Sequence, residues 1–369
     1  MELRLGYQQT EIGMIPNDWA VLPIGRGLRI RHGKNQREVI CDDGEFPIFG
    51  TGGQMGRASR ALYAKPSVLI GRKGTIDAPR YLDSPFWTVD TLFYSEVKED
   101  TNPKFMYYQF CMVDWYSYNE ASGVPSLNAR TIEKILIPYP TCRYEQDAIA
   151  VALSDIDALI DSLEILLLKK CQIKKGVVQE LLTGRRRLPG FTTGWKTQRL
   201  SAICTMKSGE GITSVDIDEH SRFPCYGGNG LRGFTKRFTH DGSYALIGRQ
   251  GALCGNISIA DGKFFASEHA IVVTPKKGTD IRWLSHVLKR MNLNQYSESS
   301  AQPGLSISKL LVLECNLPPY DEQTAIASIL HDIDAEIVSL ETKLKKARLI
   351  KQGMMQVLLT GRIRLIDQI

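Results

Sequence analysis

The chain lacks most of what marks an enzyme, a secreted protein or a membrane protein. Its eight cysteines, at 41, 111, 142, 171, 204, 225, 254 and 315, form no C-x-x-C pair, and none sits near a histidine at metal-ligand spacing. That excludes the common zinc and dithiol redox sites and reads as reduced, mostly buried thiols, with no metal expected. Histidines are few, at 32, 220, 240, 269, 286 and 331, in dissimilar surroundings with no nucleophile beside them, so no hydrolytic cluster is in view. No apolar run approaches the roughly 20 residues that span a bilayer. The opening MELRLGYQQTEIG mixes both charge signs and has no apolar signal core, so the expectation is a soluble chain kept in the cytoplasm, away from membranes.

Two stretches imitate ligand motifs without completing them. GNGLRG, Gly228 to Gly233, has dinucleotide-loop spacing, but Pro224 interrupts the run before it, FTKRF follows where a helix should start, and GTGGQMG in the first half breaks the spacing. NLPPY, Asn316 to Tyr320, is similar to the Asn/Asp-Pro-Pro-aromatic motif of amino-methyltransferases, yet Leu317 holds the place of the polar residue. It and IPYPTC read as linkers entering helices, where proline is well tolerated.

What is present begins with length. The 369 residues, 43% hydrophobic and 23% charged, suit two compact cores rather than one. A net charge of +6 is compatible with a polyanionic partner without requiring one.

The chain is a tandem duplication. EQDAIAVALSDIDALIDSLEILLLKKCQIKKGVVQELLTGRRRL from Glu145 aligns without a gap to EQTAIASILHDIDAEIVSLETKLKKARLIKQGMMQVLLTGRIRL from Glu322, with 27 of 44 positions identical. The same offset pairs FPIFGTGGQMG at Phe46 with FPCYGGNGLRG at Phe223, and LIGRKG at Leu69 with LIGRQG at Leu246.

Ile149, Leu153, Ile156, Ile160, Leu163 and Leu167 alternate steps of four and three, as do Ile326, Leu330, Ile333, Ile337, Leu340 and Leu344. This is the seam of a coiled coil, and each run ends in LLTG, whose Gly184 and Gly361 suit a left-handed helix stop. About 38 residues give a rod of roughly 57 Å. Neither stripe can be buried alone, so antiparallel packing of the two against each other is expected, with packing on the parent domain or a partner as the alternative. The remaining segments carry short β-branched runs (SVLIG, TLFYSEV, YALIG, AIVVTP) and helical stretches in corresponding places. The expected fold class is α+β: two similar mixed α/β globular domains, 1–142 and 189–318, separated by two long antiparallel coiled-coil helices within 143–188 and 319–369.

Basic residues cluster among glycines. Arg57, Arg60, Lys65, Arg72 and Lys73 lie in a stretch without acids, and Arg222, Arg232, Lys236, Arg237 and Arg249 occupy the second half. Glycines let backbone approach phosphate, so these loops are either a nucleic-acid face or an ordinary solvated surface.

EIGMIPNDW, LIGRKG followed by FWTVDTLFY, SGVPSLN and the duplicated EQ…IDALI…LLTG helices together resemble the DNA specificity subunit of type I restriction-modification enzymes. The resemblance covers nearly the whole chain, and departs from the first-half pattern where FFASEHAIVV replaces FWTVDTLFY. It implies two target recognition domains, each reading half of a split site in double-stranded DNA, and helices that set the spacer and dock two methyltransferase subunits. It leaves a restriction (nuclease/translocase) subunit open. It implies no catalytic centre and no cofactor on this chain, S-adenosylmethionine belonging to the methyltransferase.

If the halves read different sequences, identical residues cannot discriminate. Gly71, Arg72, Gly74, Gly248, Arg249 and Gly251 are then framework or phosphate contacts, with Arg72 and Arg249 expected to pair internally with Asp90 and Glu268. Discrimination belongs where the copies differ: Gln54 opposite Leu231, Met55 opposite Arg232, Lys73 opposite Gln250, Val124 opposite Gln302. Arg and Lys suit guanine, and Gln suits adenine. Arg57, Arg60, Lys236 and Arg237 complete the expected DNA-binding set. Two rival readings remain: a fused methyltransferase or restriction polypeptide, which S-adenosylmethionine binding would reveal, and a coiled-coil scaffold without DNA reading, which absence of salt-sensitive sequence-selective binding would reveal.

Overall fold

The computed structural model describes residues 5–251, 253–297 and 304–365. It divides into two compact units, Met1–Glu164 with Thr342–Ile369, and Ile165–Glu341. The helix starts at Arg143 and Tyr320 lie within two residues of the expected boundaries. The compact units instead cut each long helix part-way, because each helix packs with a different core at each end.

In the first unit a four-stranded antiparallel sheet has the order Leu28–His32, Leu92–Val97, Ser67–Gly71, Arg80–Leu82. Ser67–Gly71 is buried on both faces, which is why SVLIG reads as a continuous apolar run instead of alternating. Val68 and Ile70 join Phe105, Met106 and Phe110 of the helix Pro103–Met112 in one core, while Leu69 packs with Phe86, Leu92 and Tyr94 on the other side. Each such fully buried side chain contributes about 1.5–3 kcal/mol. The helix starts where Asn102 accepts a bond from the Phe105 N–H and Pro103 presets the first turn. A smaller sheet of Gly53–Ala58, Phe46–Gly50 and Trp87–Thr88 completes the unit.

The second unit repeats this plan. Its main sheet runs Cys204–Ser208, Ala270–Pro275, Tyr244–Gly248, Ile257–Ala260, and Ile281–Arg290 replaces the packing helix, with Trp283, Leu284, Val287 and Leu288 against Ala245, Ile247, Ile271 and Val273. FFASEHAIVV, which departs in sequence, still forms the equivalent strands, Lys263–Ala266 and Ala270–Pro275. GNGLRG is the turn and returning strand of a hairpin. IPYP lies in the strand Leu136–Pro140, and NLPPY ends the strand Glu314–Leu317 and enters the long helix through Pro318 and Pro319, so the expected linkers are short and begin as strands.

The long helices, Arg143–Leu181 and Tyr320–Leu358, have 39 residues each. Within the first unit they run antiparallel: Ile149 and Leu153 share a core with Met355, Leu358 and Leu359, and the ion pairs Lys351–Asp157 (2.5 Å) and Arg348–Glu164 (2.6 Å) lie along the contact. Within the second, Leu181 and Leu182 meet Ile326, Ala327 and Leu330, with Lys170–Glu336 at 2.5 Å and Lys174 paired to Asp334. All twelve expected seam positions, from Ile149 to Leu167 and from Ile326 to Leu344, are buried or half-buried. Gly184 and Gly361 stop the helices at φ +72° and +70°. A side chain at Gly184 would also press on the indole of Trp195, and one at Gly361 on the ring of Pro16 and the indole of Trp19.

The strongest local constraint was not foreseen. Glu145 and Gln146, and again Glu322 and Gln323, are buried at the helix starts. Glu145 accepts the Trp19 indole N–H (2.9 Å) and two bonds from Arg364, which lies just past the end of the other long helix and also grips Asp18 at 2.8 Å twice. Glu322 is held alike by Trp195 (2.9 Å) and Arg187 (2.6 and 2.7 Å). Gln146 donates to Pro140 O and accepts the Asn102 N–H, as Gln323 does with Pro318 O and the Asp280 N–H. Burial would lower the Arg364 pKa, but hydrogen bonds to Asp18 and Glu145 outweigh it and raise it.

Arg364→Ala is expected to strand the buried Glu145 carboxylate and cost about 3 kcal/mol, read by equilibrium denaturation, whereas Asp18→Ala, at an exposed carboxylate, should cost under about 1 kcal/mol. A pH effect is expected in the second unit, where His286 packs beside Lys289, with Asp261, Arg282, His331 and Asp334 lining the same cavity. Burial first, then Lys289, pushes His286 from 6.5 down to about 4. The unfolded chain therefore holds the extra proton between those values, and stability should fall by up to about 3 kcal/mol as pH drops through that window. His286→Tyr, copying Tyr108 of the first unit, should flatten the dependence in denaturation curves taken from pH 7 to 4.

Candidate nucleic-acid interface

The repeated phrase LIGR(K/Q)G is a backbone frame. A β-carbon at Gly71 would stand 1.9 Å from Thr75 O, and one at Gly248 2.2 Å from Gly228 O, so both positions demand close backbone approach. Gly74 and Gly251 adopt φ +92° and +84°, a region where other residues are strained. Both loops are sewn to a second loop. Lys73 bridges to Ser126, Gly74 N–H bonds Pro125 O at 2.9 Å, and Leu127 N–H bonds Arg72 O at 2.9 Å. In the second unit Gln250 bridges to Gly304, and Leu305 N–H bonds Arg249 O at 2.9 Å.

The framework arginines depart from expectation. Arg72 donates to the backbone carbonyl of Asp90 (3.2 Å), and Arg249 to Ser208 Oγ (2.9 Å), while Glu268 meets His269 at 3.2 Å. Neither forms the expected carboxylate pair, because the tight glycine turn brings each guanidinium to a nearer neutral acceptor. Both thus brace loops.

The expected DNA-binding set separates into two groups. Arg57 is committed to the carbonyls of Gly44 and Glu45, and Arg237 to Glu210 (3.6 Å), Gly211 O (3.3 Å) and the face of Phe265 (4.7 Å). Gln54, Arg60, Lys73, Arg232, Lys236 and Gln250 are exposed, and among the described residues their side chains make no hydrogen bond or ion pair. Gln302 lies outside the described residues. Gln54 and Met55 line a cleft of about 560 Å³ with Gly50–Gly53, Gln36 and Val89–Thr91. In the second unit a β-carbon at Gly228 would stand 3.3 Å from His269 O and 3.4 Å from Gln250 O, which sets that turn close to the backbone of both residues.

Both hairpins carry a β-bulge at the same place. Ile48 pairs Gly56 and Phe49 pairs Gln54, leaving Met55 as the extra residue; Cys225 pairs Gly233 and Tyr226 pairs Leu231, leaving Arg232. A bulge re-aims the side chain it carries.

A second basic surface escaped the sequence reading. Arg29, Arg31, His32, Lys34 and Arg130 line a groove of about 610 Å³ with Glu96 and Glu133. Arg31 is paired to Glu96 at 2.8 Å, and Glu133 accepts the Ile30 N–H at 2.8 Å, which leaves Arg29, Lys34 and Arg130 without carboxylate partners among the described residues. Four of these basic residues fall within positions 29–34, and the helix Ala129–Lys134, tied to Ile30 through Glu133, brings Arg130 to them.

The family model for the type I restriction modification DNA specificity domain matches twice, over residues 16–170 and 192–348. The chain is 34% identical, over 89% of its length and 90% of the relative's, to the type I restriction enzyme EcoprrI specificity subunit of Escherichia coli. It is 23% identical, over 95% and 94%, to the MjaVIII specificity subunit of Methanocaldococcus jannaschii. Among solved structures, the S subunit of a type I restriction-modification system from M. genitalium superposes with a TM-score of 0.74 at 18% identity, covering 100% of this chain and 99% of that one.

Gly248→Ala should cost about 2–3 kcal/mol, since its β-carbon meets backbone that has no room to yield. Gly228→Ala, whose nearest contacts are 3.3 and 3.4 Å, should cost far less. Thermal or urea denaturation of the pair separates a framework glycine from a merely nearby one.

Proposed function

Because this chain belongs to the type I restriction-modification DNA specificity family, we propose that it supplies the sequence choice of such a complex by letting each unit read one half of a bipartite duplex site. One observation carries this reading. The two units share a frame down to its loop sutures and bulges, yet expose different side chains from it: Gln54 against Leu231, Met55 against Arg232, Lys73 against Gln250. Two readers of unlike half-sites need that combination.

The long helices set the spacer between half-sites and dock two methyltransferase subunits. Large apolar side chains that the seam does not use support the docking role: Leu159, Leu349 and Ile350 in the first unit, and Ile165, Leu168 and Val338 in the second, are 44–68% exposed. Restriction subunits join where the system has them. The chain itself is not an enzyme and carries no cofactor; S-adenosylmethionine resides on the methyltransferase. The complex works in the cytoplasm, a reading compatible with the finding that no helix among the described residues is long and apolar enough to cross a membrane.

Inserting four residues into both long helices lengthens each by about 6 Å, against about 3.4 Å per base pair. Mapping methylated adenines in DNA treated with the assembled complex should then show the preferred spacer longer by one or two base pairs, with both half-sites unchanged. Altered bases within a half-site would refute the ruler.

A further inference from the structure

We propose that the bulge residue of each hairpin, Met55 or Arg232, is a base-reading side chain, and that the two pockets take different base pairs: A·T through the thymine methyl in the first unit, G·C in the second. This rests on the DNA-reading proposal above. The bulge lays its side chain over a glycine. Arg232 Cδ and Cγ lie 2.4 and 3.1 Å from where a β-carbon of Gly227 would stand, and Met55 Sδ lies 3.0 Å from the matching point on Gly50. A β-carbon at Gly227 would displace the Arg232 side chain, and one at Gly50 would crowd Met55, so in both units a glycine makes room for the bulge side chain.

The neighbours of the slot differ in chemistry. In the first unit Val89 Cγ2 stands 3.6 Å from the Gly50 position, so its near contacts are a thioether and a methyl group. In the second, Ser267 Oγ stands 3.4 Å from the Gly227 position. Ser267 is fully buried, and among the described residues its Oγ has no hydrogen-bond partner, nor has the buried Oε2 of the adjoining Glu268. Buried polar atoms left unpaired in a folded protein call for an explanation, and a ligand that pairs them is one. Arg232 is exposed and likewise has no partner among the described residues.

The second slot thus sets a forked donor beside a buried hydroxyl. A G·C pair shows the major groove two acceptors on guanine, O6 and N7, and one donor on cytosine, N4. Arg232, exposed and forked, matches the two guanine acceptors. The first slot holds no guanidinium: its cleft carries the amides of Gln36 and Gln54, and the thioether beside a methyl group suits the C5-methyl of thymine.

The experiment uses the full chain assembled with its methyltransferase, on duplexes carrying the mapped site with one base replaced at a time. In the wild-type complex, 7-deazaguanine at one position of the second half-site should weaken binding about 5- to 150-fold, and uracil for thymine at one position of the first should weaken it by a smaller factor. In Arg232→Met, which installs the residue the same bulge carries in the first unit, the 7-deazaguanine penalty should vanish while the uracil penalty stays. If that variant fails to fold, Arg232→Gln is used, with preference at that base pair moving from guanine toward adenine. An Arg232 variant that binds every sequence equally more weakly, with the 7-deazaguanine penalty intact, makes Arg232 a phosphate contact and overturns the pocket assignment alone. A wild-type complex that shows no sequence preference overturns the DNA-reading proposal itself.

Discussion

A buried carboxylate at the start of each long helix is the constraint on which the rest depends. Glu145 and Glu322 are removed from water, a state that costs several kcal/mol unless every lone pair is answered. Each is answered by an indole N–H and an arginine that follows the end of the opposite helix. The arginine reaches its target only if the helix before it has run its full course and turned at a left-handed glycine, and the tryptophan only if the short strand beginning there is in register. The adjoining glutamine ties the same point to the cap of the packing helix. One dipeptide thus holds helix start, helix end, edge strand and packing helix together within each unit.

With that anchor in place, variation is confined to where it does no structural harm. LIGR(K/Q)G keeps its glycines because carbonyl oxygens stand where β-carbons would go, and keeps its arginine because the guanidinium braces a neighbouring loop. The fifth residue points to solvent and changes from Lys73 to Gln250. The hairpin follows the same division, with the bulge fixed and its side chain free to change from Met55 to Arg232. A duplicated gene can diversify such positions singly, since each is exposed and makes no contact that the frame needs.

The duplication, the seam residues of the helices and their glycine stops were legible from residue order, because helical periodicity and turn chemistry are local properties. SVLIG and YALIG were legible as strands for the same reason. The carboxylate anchor was not: Glu145 and Glu322 look like ordinary surface acids at a helix start, and their partners lie 126 and 219 residues away in one case, 127 and 135 in the other. The one available signal was that the EQ pair and the final arginine recur at the same offset in both copies.

The roles of the basic residues divide along the same line. Sequence identified Arg57, Arg72, Arg237 and Arg249 as cations among glycines, but charge does not say what a side chain touches, and tertiary structure assigns all four to internal acceptors. It also builds a groove in which Arg130, from the helix Ala129–Lys134, joins Arg29 and Lys34 from a distant segment. Sequence alone determined that there are two copies of one α/β plan and two heptad-patterned helices, since repetition and periodicity are written in residue order. Only the folded chain decided which of the exposed side chains remain free to meet a ligand, because that depends on acceptors brought near by distant segments.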